Sequence, residues 1–235
     1  MEIDKLKKFN NLTLLQICST VFPTGGFNHS FGLETYINQN KVKTKQELLT
    51  ILKTYLKTQF LFNDALGMRL LDKELKEHDD KFILEIDELF HVATLPKETR
   101  EGYKKVGVRT VECLIDIIPD CKELVAYMQA INDKKAHGNA AVAYAIAFNY
   151  LNIDIEEGIE NYLYMNIQNL IQNAIRAIPL GPSDGIYVAN EIKPFVKETV
   201  SASKQYNIED FGINGFSIEI AQMDHEESLI RLFMS

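Results

Sequence analysis

From Leu48 to Leu75 the apolar residues recur at intervals of three and four, and nowhere does an alternating apolar and polar run compete with that period. Leu48, Leu52, Tyr55, Leu56 and Phe60 share one stripe, which Leu66, Leu70, Leu71 and Leu75 continue. A 3.6-residue period puts such a stripe on one side of a helix and demands a second element to cover it. Thr44 and Glu47 stand at capping-box spacing, where hydroxyl and carboxylate satisfy each other's orphan backbone donors. The same period predicts helices over Phe82–His91 and Glu98–Ile117, the latter closed by Pro119. Asp120 is placed to cap a helix over Cys121–Ile131, and Ala136–Leu151 reads as a helix of small residues. A second capping box, Asp154 to Glu157, opens a helix reaching Ile178. Its apolar face is Leu163, Ile167, Leu170, Ala174 and Ile178; beside it runs a polar stripe of Tyr162, Asn166, Asn169, Asn173 and Arg176. Asp184–Gln205 is a last long helix interrupted by Pro194. At the other end, a short helix over Leu12–Cys18 stops before Pro23, Thr24-Gly25-Gly26 turns, and Asn28–Gln39 is helical again. The expected fold is all-α: one helical bundle over residues 1–235 with a detachable, partner-binding C-terminal tail from about residue 215.

Composition narrows the function. The chain has 33 acidic against 25 basic residues and a formal charge of −8, which argues against binding nucleic acid through its phosphates. The three cysteines, Cys18, Cys113 and Cys121, form no C-x-x-C pair and read as reduced thiols. Residues 1–8 carry charge with no signal-peptide core behind them. Ala140–Phe148, the most apolar run, is nine residues, short of the ~20 a membrane span requires. A cytoplasmic protein without nucleic-acid or membrane partners is the expectation.

Catalytic patterns break off. Gly102 and Gly107 have the outer spacing of a phosphate loop, but Val108-Arg109 stands where Lys-Ser/Thr is required. His225-Glu226 starts like H-E-x-x-H and lacks the second His. Glu74/His78 and Glu88/His91 contain one true Glu-x-x-His, where a di-metal bundle enzyme needs two. A nickel metallochaperone would carry a His-rich tract, and the five histidines are scattered. These metal-binding readings remain the alternative; no catalytic residue, metal ligand or cofactor is assigned.

Four blocks then fall in a telling order. Phe22-Pro-Thr-Gly-Gly-Phe-Asn-His-Ser-Phe-Gly-Leu-Glu34 resembles the P-x-G-[GS]-[FY]-x-[HY]-S-x-G-L-E signature of UreF, the urease accessory family. Thr99–Arg109 is similar to the family's R-x-x-x-x-x-x-[MLV]-G-x-R helix, Ala174–Gly185 to its R/K-x-[IV]-P-L-[GS]-Q-x-D-G corner, and Met223-Asp-His-Glu followed by Arg231-Leu-Phe to its terminal motif. Pro182 stands where the family usually has Gln, Leu229 where it has Tyr, and Ala136–Asn139 departs from its usual helix opening. The resemblance implies an all-helical, non-enzymatic scaffold that dimerises. It further implies that the chain joins UreD and the GTPase UreG to deliver nickel to apo-urease, with UreF regulating GTP hydrolysis.

Within these blocks the residues suggest roles. Phe27, after the Pro-x-Gly-Gly turn, either anchors an interface or staples the next helix. His29, Ser30 and Glu34 cluster too sparsely for a metal and suit hydrogen bonding or partner contact. Gly32 permits close helix packing. Arg176 lies at a helix C-terminus, where the dipole favours a cation. The tail is apolar for a terminus, and Arg231, its cation, needs carboxylate or carbonyl partners. The expected partner-binding set is Phe27, His29, Ser30, Glu34, Arg176, His225, Glu226, Arg231 and Phe233. The alanine face of Ala140, Ala141, Ala143, Ala145 and Ala147 is a candidate dimer surface, although it can equally be internal.

Overall fold

The computed structural model describes residues 11–77, 81–229 and 231–235, and among them every element is helical. In chain order these are α1 (11–17), α2 (Leu33–Asn38), α3 (Lys45–Lys57), α4 (Leu66–Lys76), α5 (Phe82–Ala93), α6 (Lys97–Ile117), α7 (Lys122–Asn132), α8 (Ala140–Tyr150), α9 (Ile155–Ala177), α10 (Pro182–Glu191), α11 (Lys193–Ala202) and α12 (Phe216–Glu226). The sequence readings on residues 1–8, His78 and Ile230 lie outside the described residues.

α8 is apolar on every side, so it has to be surrounded. α4, α6 and α9 enclose it, with α7 and α5 also touching it. Ala141, Ala143, Ala145 and Ala147 are fully buried, which makes the alanine face internal and removes it as a dimer surface. Small side chains there let neighbouring helices approach closely. A Cβ on Gly107 of α6 would fall on the Gly138 carbonyl just before α8, and one on Gly158 of α9 would enter the Phe148 ring. The glycines that mimic a phosphate loop are thus packing positions.

Local capping follows the sequence in most places. Thr44 and Glu47 form the full box at the start of α3. Asp154 Oδ1 accepts from the backbone N–H of Glu156 and Glu157 at 3.0 and 3.2 Å. α7 instead takes Cys121 as its N-cap, without a side-chain bond, so Asp120 is not the cap. Pro182 opens α10 at the one helical position where a missing N–H costs nothing. Pro194 likewise sits in the first turn of α11, and the predicted long helix is two.

Three departures matter more. The stripe from Leu48 to Leu75 is broken at Thr58 (φ −122°, ψ −98°) and continues through a π-helical turn, Phe60–Ala65. A π turn holds an extra residue and rotates the helix beyond it; such turns are frequent at functional sites. α2 starts at Leu33, because Phe31 and Gly32 have φ of 50° and 93°, outside the right-handed helical region. Finally, the tail is docked: α12 packs on α2 and α6, burying Ile218, Gln222 and His225. Gly32 is what permits this, since a Cβ there would lie 2.9 Å from Gln222 Cγ.

Gly107→Ala should therefore force α6 away from the segment entering α8, costing about 1–3 kcal/mol. At this chain length that lowers the melting midpoint by about 2–4 °C per kcal/mol, read by circular dichroism. Gly26→Ala, whose Cβ would meet nothing closer than 3.6 Å, is the control expected to melt like the parent. Equal melting of both variants would show that the α6 contact yields freely.

Candidate partner-docking site

The Pro23–Gly32 turn is held from three helices. Gly25 (φ 81°) reverses the chain into a 3-10 turn, Gly26–Asn28, which leaves Phe27 49% exposed. Arg109 Nε of α6 donates to the Pro23 carbonyl at 3.3 Å. Asn173 Nδ2 of α9 donates to the His29 carbonyl at 2.7 Å, and Arg176 Nη2 to the Phe27 carbonyl at 2.8 Å. Arg176 also donates to Asn173 Oδ1, so the last turns of α9 form one clamp. From α12, Gln222 Nε2 donates to the Phe31 carbonyl at 3.1 Å.

Behind the turn lies a buried charge node. Glu34 and His225 are 2% and 1% exposed. His225 Nε2 faces Glu34 Oε2, and its Nδ1 faces Glu98 Oε2, each at 2.9 Å. Each ring nitrogen therefore ends on a carboxylate oxygen, and the ring bridges α2 and α6. The other Glu98 oxygen pairs with Arg231, which also donates to the Glu226 and Ser228 carbonyls. Glu98 is thereby shared between the imidazole and the guanidinium. Glu226 closes the node by accepting from the Glu98 backbone N–H at 3.0 Å, an orphan donor in the first turn of α6. The carboxylates lie on opposite edges of the imidazole, so they share no coordination point; among the described residues no three His, Cys, Asp or Glu side chains are grouped to hold a metal. The Glu88/His91 pair is likewise spent locally, with His137 stacked on His91 and bonded to Glu88 at 2.8 Å.

Residues 231–235 form an extended strap across this node. Glu34 accepts from the Leu232 and Phe233 N–H groups at 2.6 and 3.1 Å. The Met234 N–H donates to the Asn28 carbonyl, and the Ser30 and Phe31 N–H groups donate to the Ser235 carbonyl. Side chains alternate along the strap: Phe233 and Ser235 point in, whereas Leu232 and Met234 are 66% and 53% exposed. The Arg176 guanidinium sits 5.1 Å from the Phe233 ring centre. His29 Nδ1 meets Ser235 Oγ at 2.7 Å, and burial, reinforced by Lys105, brings its pKa down to about 4, leaving a neutral ring at pH 7. Gly102 of α6 leaves room for that pair, since a Cβ there would lie 2.9 Å from His29 Nδ1.

The nine residues singled out from sequence are thus brought to one place, but most of them face each other. Ser30 Oγ accepts from the Glu34 N–H, an orphan donor in the first turn of α2, at 3.3 Å, and Phe233 is buried against Arg176. Large apolar side chains offered outward are Phe27, Leu229, Leu232 and Met234. Sequence reasoning missed Glu98 and Asn173 as partners, although Asn173 lay in the polar stripe of α9. It also missed the outward role of Leu232 and Met234, which only the alternation of a strap reveals.

Removing the imidazole leaves the Glu34 and Glu98 carboxylates without their shared partner. His225→Ala should cost about 3–5 kcal/mol, a melting drop of roughly 10 °C for a chain of this size. Deleting residues 224–235, expected from sequence to spare the fold, should lower melting at least as far, because it also uncovers the Arg176 end of α9. A truncated chain melting within about 2 °C of the parent would make the segment peripheral to stability.

The UreF family model matches residues 42–192, a stretch that includes neither the Pro23–Gly32 turn nor the strap. Urease accessory protein UreF of Bacillus sp. (strain TB-90) is 35% identical over 224 residues, covering 95% of this chain and 98% of that one. The family is one of accessory proteins rather than catalytic enzymes, and no helix among the described residues is long and apolar enough to cross a membrane. With an all-helical fold and both matches in agreement, the chain belongs to the UreF family of urease accessory proteins.

Proposed function

We propose that this chain is the scaffold of a cytoplasmic urease maturation complex: it binds UreD, recruits the GTPase UreG, regulates its GTP hydrolysis, and so serves delivery of nickel to apo-urease. The observation that carries the reading is the set of exposed apolar side chains on two adjoining, rigidly held segments, Phe27 on the turn and Leu229, Leu232 and Met234 on and before the strap. Large apolar anchors on a backbone already ordered by buried hydrogen bonds lose little freedom on binding, which is what a docking surface requires. Arg231 acts by holding the strap through Glu98, and His225 and Glu226 act by holding Glu98. A homodimer fits this reading, with its interface on a surface other than the buried α8 face.

Capture of UreG by the UreD-bound protein, with and without GTP and nickel, tests the proposal; absence of capture under every condition would overturn it. Phe27→Ala and Leu232→Ala should each weaken capture about thirtyfold, the effect of a hot-spot loss near 2 kcal/mol. Their melting should stay within about 2 °C of the parent. Arg231→Ala should reduce melting and capture together, because it releases the strap. Light scattering at micromolar concentration reads the dimer, and a monomer throughout would remove that part.

A further inference from the structure

Below the Pro23–Gly32 turn the core holds a partly open cavity that leaves ≈ 40 Å³ for water-sized guests. That is room for about three waters. The π-helical turn places Asp64 on its wall, where Oδ1 accepts from the Tyr162 hydroxyl at 2.9 Å. Phe31 and Tyr103, stacked at 4.4 Å, form an aromatic side, and the amides of Asn166 and Asn169 complete it. Among the described residues the wall carries no Lys or Arg, and its one basic group, His29, is neutral at pH 7. Of the phenols beside Asp64, burial pushes those of Tyr103 and Tyr162 well up, so neither supplies a charge.

A carboxylate in such surroundings is protonated or paired with a cation, and among the described residues no cation lines this wall. Ring faces beside one carboxylate in a small cavity favour a small positive guest. A single carboxylate with neutral donors balances one charge, whereas a divalent transition metal calls for more anionic or imidazole ligands. We propose that this cavity is a binding site for a small monovalent cation of ammonium or potassium size, which displaces the proton from Asp64. The exchange is Asp64 carboxylic acid plus cation giving the carboxylate–cation pair and one proton released to solvent. It is independent of the partner-docking reading.

Burial raises the Asp64 carboxyl from 3.8 to about 7, opposed by the Tyr162 hydrogen bond. The folded state therefore keeps a proton that the unfolded chain gives up above about pH 4, and this contribution to stability falls as pH rises to about 7. A cation that binds only the ionised form restores stability above that range. Thermal unfolding of the full chain at about pH 8 and about pH 5 tests this in ammonium, potassium or tetramethylammonium chloride, the last too large to enter. Ammonium or potassium should raise the midpoint by at least about 3 °C over tetramethylammonium at the higher pH only, and in Asp64→Asn at neither pH. Wild-type protein in unbuffered solution near neutrality should also release protons on adding potassium chloride, which does not depend on the variant folding. Equal melting in all three salts, a salt difference that persists at about pH 5 or in Asp64→Asn, no proton release, or stabilisation by nickel(II) chloride alone would each overturn the assignment.

Discussion

The arrangement of the docking face depends on one ion network, Glu34–His225–Glu98–Arg231. Glu34 is 2% exposed, and a carboxyl so buried needs hydrogen-bond partners, one of which the imidazole of α12 supplies. Once α12 is drawn in, its remaining polar side chains find partners on α2 and the turn: Thr35 Oγ1 donates to the Ala221 carbonyl at 2.7 Å, and Gln222 reaches the Phe31 carbonyl. Both Glu34 oxygens then accept strap N–H groups, Oε1 from Leu232 and Oε2, which His225 also faces, from Phe233, so a single carboxylate links a short helix, a long-range histidine and the strap. Such a network adds little net stability compared with an apolar core, but it specifies one geometry because any missing member leaves a buried charge.

Underneath, the bundle is organised to bring polar groups of α9 to that face. The helix is long enough to cross the core, with Leu163, Ile167 and Leu170 against it and the polar stripe alongside. Its last two turns, through Asn173 and Arg176, clamp the turn and the strap. Three and two turns before Asn173, Tyr162 and Asn166 border the cavity at Asp64. One amphipathic helix thereby serves a surface and an interior site, and the close packing at Gly107 and Gly158 keeps it and α6 tight on α8.

Much of this was legible along the chain because it depends on neighbours. The Thr44–Glu47 box, the Asp154 cap and the helices around Pro119, Pro179 and Pro194 rest on contacts within four residues, which periodicity and side-chain type report directly. The errors came where local options were close in energy. Asp120 and Cys121 compete for one N-cap, and the π turn after Thr58 leaves the apolar spacing intact while rotating Asp64 inward. The residues of the expected partner-binding set lie together, but the sequence did not reveal which of them face one another, since Arg231 needs a carboxylate and the sequence offers many.

Sequence alone therefore determined the helical class, the position of most helix ends, the marked turn at Pro23–Gly32 and the family, all of which rest on residue type and spacing. Tertiary structure decided which charges meet. His225 finds Glu34 from 191 residues away and Glu98 from 127, and no periodicity encodes a pairing at that range. It also decided that the terminal segment is a strap rather than a free tail. An apolar stretch with one arginine is equally suited to waiting for a partner or docking at home. The choice falls to the buried Glu34 and the half-shielded Glu98, whose carboxylates are satisfied only when the strap's N–H groups and Arg231 are in place.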